Sequence, residues 1–123
     1  ALYQGDHRQD LRLMTTVSFR TEGERITGFT VAGHSGCAEA GEDLLCAAVT
    51  SAVRLTECAV NDVLGLGAAV KVKEKDASIS LKLPGALGQT NEATCQALMT
   101  ALMVYFTTLH EEYPDNIIVV EEE

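Results

Sequence analysis

Two stretches of strict side-chain alternation, each followed by an apolar segment of helical period, limit what this chain can fold into. In "TTVSFR", Val17 and Phe19 share one face while Thr16, Ser18 and Arg20 share the other, which is the period of a half-buried strand. After the turn "TEGE", "RITGFTVAG" reads as its hairpin partner, and Gly28 interrupts the alternation and so predicts a bulge. The second stretch is "AVKVKEKDASISLKLPG". There Val70 and Val72 oppose Lys71 and Lys73, and after a turn at 74–77 Ile79, Leu81 and Leu83 alternate with Ser78, Ser80 and Lys82.

A helix is predicted after each hairpin. Asp43 is a suitable N-cap for one running from Leu44 to about Asp62, with Leu45, Ala48, Ala52, Leu55, Ala59 and Val63 as its apolar stripe. Thr90 would cap a second, from about Asn91 to Glu112, whose stripe is Cys95, Leu98, Leu102, Tyr105 or Phe106, and Leu109. Pro114 stops it. "NIIVV" is a last short strand before a frayed acidic tail. The order β-β-α-β-β-α-β predicts an α+β fold, a mainly antiparallel sheet covered by two helices. A chain of 123 residues supports one domain, assigned to 14–123. The irregular "ALYQGDHRQDLRL" at 1–13 reads as a cloning remnant or artefactual extension, which removes His7 from consideration.

Charge and cysteine usage narrow the function classes. A net charge of −9 argues against nonspecific nucleic-acid binding, which needs clustered Lys and Arg, and suits a basic partner. No apolar run approaches the ~18–20 residues that span a bilayer, and no secretory pattern is present, so no membrane association is expected. Cys37, Cys46, Cys58 and Cys95 lack the density and pairing of a disulfide scaffold, so the expected compartment is a reducing cytoplasm.

The chemistry concentrates in "GHSGCAEAGEDLLCAAVT", Gly33 to Thr50. If Asp43 is the cap, Cys46 is the third helical residue. The unpaired N–H groups and partial positive charge of a first helical turn stabilise a thiolate there. The same N–H groups could hold an oxyanion formed at a carbonyl under attack. Asp43 opposes this, because a nearby carboxylate disfavours the thiolate. Peptide hydrolysis also needs a proton shuttle, and His34 supplies an imidazole that titrates near neutral pH. Glycines at 33, 36 and 41 let the intervening loop fold back so that the two can meet. The spacing permits this pair without requiring it. A buried free cysteine is ordinary core material, and Cys58 and Cys95 are read that way.

The stretch resembles the signature of the bacterial ribosomal-processing (Prp-like) cysteine proteases: "GHSGCA", then "GEDLLCAAVT" opening a helix. The resemblance extends in length and element order over Thr15 to Glu123, including the lysine-rich hairpin and the helix ending "EEYP". It implies that Cys46 is the nucleophile and His34 the general base and acid. Asp43 would cap the helix and could help orient the pair. Thr50, where the family has serine, would keep a supporting hydroxyl and add a methyl. Ser35 and Cys37 stand where alanine and an aromatic are frequent, and Cys37 adds a second thiol that could protect or oxidise Cys46. The family forms homodimers, uses no cofactor, and removes an N-terminal extension, after a hydrophobic Phe-containing segment, from a large-subunit ribosomal protein precursor during ribosome assembly.

Three other readings compete. One is a non-catalytic ribosome-associated binding module on the same scaffold. Another is thiol redox chemistry at Cys46 with Cys37 or Cys58 resolving it, although no Cys-x-x-Cys is present. The last is zinc held by His34 and Cys37 of "HSGC", with Cys46 and Cys58 as distant further ligands, which lacks the second compact ligand pair of a structural site, so no metal is expected.

Overall fold

In the first hairpin the alternation becomes a register. The computed structural model describes residues 14–33, 42–75 and 77–123, with Glu42 and Asp43 in backbone only. Strand β1 (Thr15–Glu22) pairs antiparallel with β2 (Arg25–Ala32), from Thr16 opposite Ala32 to Arg20 opposite Gly28. The register then shifts so that Thr21 faces Ile26, leaving Thr27 as the extra residue of a bulge beside Gly28. The Thr27 hydroxyl donates to the Arg20 carbonyl across it, at 3.2 Å. The backbone at Gly28 comes so close to the Leu81 carbonyl that any side chain would run into it.

The second hairpin, β3 (Ala69–Lys73) with β4 (Ser78–Lys82), joins the first through β4, which pairs with β2. The last strand, β5 (Ile117–Glu122), lies parallel to β1, so the sheet order is β3-β4-β2-β1-β5. The expected frayed tail is in fact strand as far as Glu122, whose register partner is Arg20. The α+β architecture, a mainly antiparallel five-stranded sheet with two long helices, is the one the sequence predicts.

Helix α1 (Glu42–Glu57) continues as a π-helical segment, Cys58–Val63, in which the Leu64 N–H reaches the Ala59 carbonyl. Just before the switch the Thr56 hydroxyl donates to the Ala52 carbonyl at 2.8 Å, a back-bond of the kind that bends helices. The expected stripe of α1 needs correction. Leu45, Val49, Val53 and Val60 are the buried set, while Leu55 and Val63 are 72% and 79% exposed. The helix has two apolar sides, and the side that carries the bulky valines takes the sheet. The segment Leu44–Val63 is also long and apolar enough, by composition, to cross a membrane, contrary to the sequence reading. Here Val49, Val53 and Val60 of that segment belong to the core.

Helix α2 (Gln89–Glu112) starts after Gly88, whose φ of +79° and missing side-chain cap bond replace the cap expected at Thr90; Thr90 itself is helical. Its core residues are Cys95, Met99, Leu102, Phe106 and Leu109, and of the two aromatic candidates Phe106 is the buried one. Phe106 lies 6.4 Å from Phe19, which is 5.9 Å from Phe29, ring centre to ring centre. Burying each such ring contributes about 1.5–3 kcal/mol.

Candidate active site

The chain leaves β2 through Gly33, and the backbone requires a glycine there. Its φ is +93°, and a side chain would run into the Met14 carbonyl. The Gly33 N–H donates to the Ala77 carbonyl at 3.1 Å, tying the end of β2 to the β3–β4 turn. His34 and Cys37 fall in residues 34–41, outside the described residues, and so does the zinc reading of "HSGC". Among the described residues no group of three or more His, Cys, Asp or Glu side chains could hold a metal.

The chain is helical again from Glu42. That moves Asp43 from the position before the helix to its second residue, so it does not occupy the predicted N-cap position. Cys46 becomes the fifth helical residue instead of the third. Its own amide therefore lies past the unpaired N–H groups of the first turn, and its thiol stands at the limit of the helix's positive end.

Cys46 is half-buried and disulfide-bonded, whereas Cys58 and Cys95 are free. The two free thiols are poor nucleophiles. Burial, reinforced by the Glu92 charge, pushes the Cys95 thiol above its ordinary pKa. Desolvation, then a hydrogen bond with Asp62, does the same at the exposed Cys58. Neither is poised as a thiolate at neutral pH. A thiolate can form at Cys46 only once its disulfide has been reduced.

Thr50, the predicted supporting hydroxyl, is exposed one turn beyond Cys46 and lines a groove between α1 and the β3–β4 hairpin. Val53, Arg54 and Glu57 complete the helix side, Val72 and Ile79 the sheet side, and the volume is about 310 Å³. At 100° per residue, Val53 and Glu57 project within about 20° of Cys46 around the helix. Sequence reasoning missed this groove, because it is assembled from segments far apart in the chain. Its one sequence signal is Val72, an alternating valine near the tip of a lysine-rich hairpin. A larger apolar groove, about 540 Å³, lies on another side of α1, between Ala48, Ala52, Leu55 and the Leu98, Ala101 and Tyr105 side of α2. A cleft of about 340 Å³ lies over Gly28 on the sheet, lined by Ser18, Arg20, Thr30, Ser80 and Lys82. These side chains point away from the face that carries Val17, Phe19 and Leu81 into the core.

Comparison with known proteins identifies the family. Residues 14–118 match the family described as cysteine protease Prp. The ribosomal processing cysteine protease Prp of Bacillus subtilis (strain 168) is 29% identical over 98 residues, which span 80% of this chain and 88% of that protein. Among solved structures, the essential ribosomal processing protease Prp from S. aureus, in complex with a substrate peptide, superposes with a TM-score of 0.76 at 20% identity, over 89% of this chain and all of that one (100%). A Streptococcus mutans protein gives 0.78 at 21% identity, over 89% and 94% of the two chains. At these identities the structures establish a shared fold, and the family match carries the rest: the chain belongs to the Prp family of cysteine proteases.

Proposed function

We propose that this protein is an endopeptidase that removes the N-terminal extension of a large-subunit ribosomal protein precursor during ribosome assembly, in the cytoplasm and as a homodimer. The observation that carries the reading is the position of Cys46: half-buried, at the start of α1, beside an apolar groove and within the matched segment. The Bacillus subtilis relative is a ribosomal processing enzyme and the S. aureus relative holds a substrate peptide, which supports the substrate class.

In this reading His34 takes the proton of the reduced Cys46 thiol, and the thiolate attacks the scissile carbonyl. First-turn N–H groups of α1 hold the oxyanion. The imidazolium protonates the leaving amine, and water then releases the acyl group from Cys46. Thr50 offers its hydroxyl to the same end of the groove. A net charge of −9 favours encounter with a basic ribosomal protein.

The test is to incubate the N-terminal peptide of the host's ribosomal protein with reduced enzyme and read the products by mass spectrometry. A single cut is expected, absent with Cys46→Ala and slowed by ~10²–10⁴ with His34→Ala. Substantial cleavage by Cys46→Ala would defeat the assignment. Tight binding of the full-length precursor without any cut would favour a non-catalytic binding module.

A further inference from the structure

We propose that the groove between α1 and the β3–β4 hairpin is a specificity subsite that takes an apolar side chain of the extended substrate, with Val72 and Ile79 as its selecting residues. The inference rests on the reading of Cys46 as nucleophile. The groove begins at Thr50, one turn beyond that residue, and Val53 and Glu57 of its lining share the helix face of Cys46. With a rise of ~1.5 Å per residue, Thr50 lies ~6 Å and Val53 ~10 Å from Cys46 along the axis. An extended peptide advances ~3.3 Å per residue, so Val53 stands level with a side chain about three residues from the scissile bond.

The floor is apolar and incompletely covered. Val72 and Ile79 are register partners on β3 and β4, on the face that carries Leu81 and Val31 into the core. Yet Val72 is 65% exposed and Ile79 only partly buried, across the groove from Thr50 and Val53 of α1. An edge-strand valine facing the core side without a cover leaves apolar area for a ligand to bury. β3 is also the terminal strand of the sheet order. Its outer backbone N–H and C=O groups have no strand partner among the described residues, and an extended peptide pairs with such an edge while alternate side chains enter pockets beside it. Arg54 and Glu57 stand at the rim with opposite charges, which leaves the apolar floor to decide selectivity.

The experiment profiles cleavage of a randomised synthetic peptide library by reduced wild type, Val72→Asp, Ile79→Ala and Leu55→Ser, with Cys46→Ala as the blank. Wild type is expected to prefer apolar side chains at one position about three residues from the cut. Because a buried large apolar side chain contributes ~1.5–3 kcal/mol, Val72→Asp should lower that preference about tenfold or more and favour Lys or Arg there. Ile79→Ala should shift the preference to larger apolar side chains. Leu55→Ser, in the other groove, should change nothing. If wild type cuts and both groove variants keep its profile, the subsite is wrong while the protease reading stands. A profile changed by Leu55→Ser alone would move the subsite to the α1–α2 groove. A wild type that cuts nothing removes the reading of Cys46, and this inference with it.

Discussion

At the scale of single residues, the decisive fact is chemical state. A sulfur held in a disulfide cannot attack a carbonyl, and Cys46 is disulfide-bonded while Cys58 and Cys95 are free. The protein purified without reductant should therefore be inactive, and dithiothreitol should restore cleavage while intact mass rises by a pair of hydrogens. After reduction, iodoacetamide should modify Cys46 first. Cys58 should react slowly, because its thiol is held protonated by desolvation and Asp62, and Cys95 only on unfolding, because it is fully buried. Full activity before reduction, with no change in thiol count, would refute this. The sequence singles out Cys46 by its place at a helix start. Asp62, four residues after Cys58, and Glu92, three before Cys95, were within reach of helical spacing, whereas the core that buries Cys95 is assembled only by the fold.

Between residues and fold stand the elements, and α2 is joined to β2 by the Gln96 amide and an ion pair. Gln96 Nε2 donates to the Ile26 carbonyl and Gln96 Oε1 accepts from the Ile26 N–H, both at 2.8 Å. Arg25, next in the strand, donates to the Glu92 carboxylate at 2.7 Å and to the Pro84 carbonyl at 2.8 Å. Gln96→Ala strips the partners from both backbone groups of a residue that is 7% exposed and should cost ~1–3 kcal/mol in urea unfolding. An unchanged midpoint would show that water replaces the amide. This pairing illustrates what period and turn signals leave out. Alternation revealed the four antiparallel strands, and the broken alternation at Gly28 marked the bulge. The stripe of α1 was misread because alanines and leucines kept helical spacing on the side that faces α2 as well. The parallel pairing of β5 with β1 is a tertiary choice with no local signal.

For the whole molecule, the question is what covers the second side of α1. Leu55 is 72% and Tyr105 42% exposed, and they border the apolar groove of about 540 Å³ between the helices. A soluble surface rarely leaves so contiguous an apolar area open unless something packs on it. In the homodimer proposed above, a second copy that laid its own α1 and α2 across this groove would bury it. The Val72 groove lies on a different side of α1, so such an interface would leave the proposed subsite open to peptide. Bringing together two chains of net charge −9 opposes that association, and salt screens the repulsion. The dimer should therefore tighten as ionic strength rises, the reverse of an interface held by ion pairs. Leu55→Arg should give a monomer by light scattering, because it would bury an unpaired guanidinium in an apolar interface. Its thermal midpoint at low concentration should stay near that of wild type, since position 55 is already exposed within one copy. A wild type that is monomeric at all salt concentrations, or a Leu55→Arg variant that still dimerises, would mean that this groove is not where two copies meet.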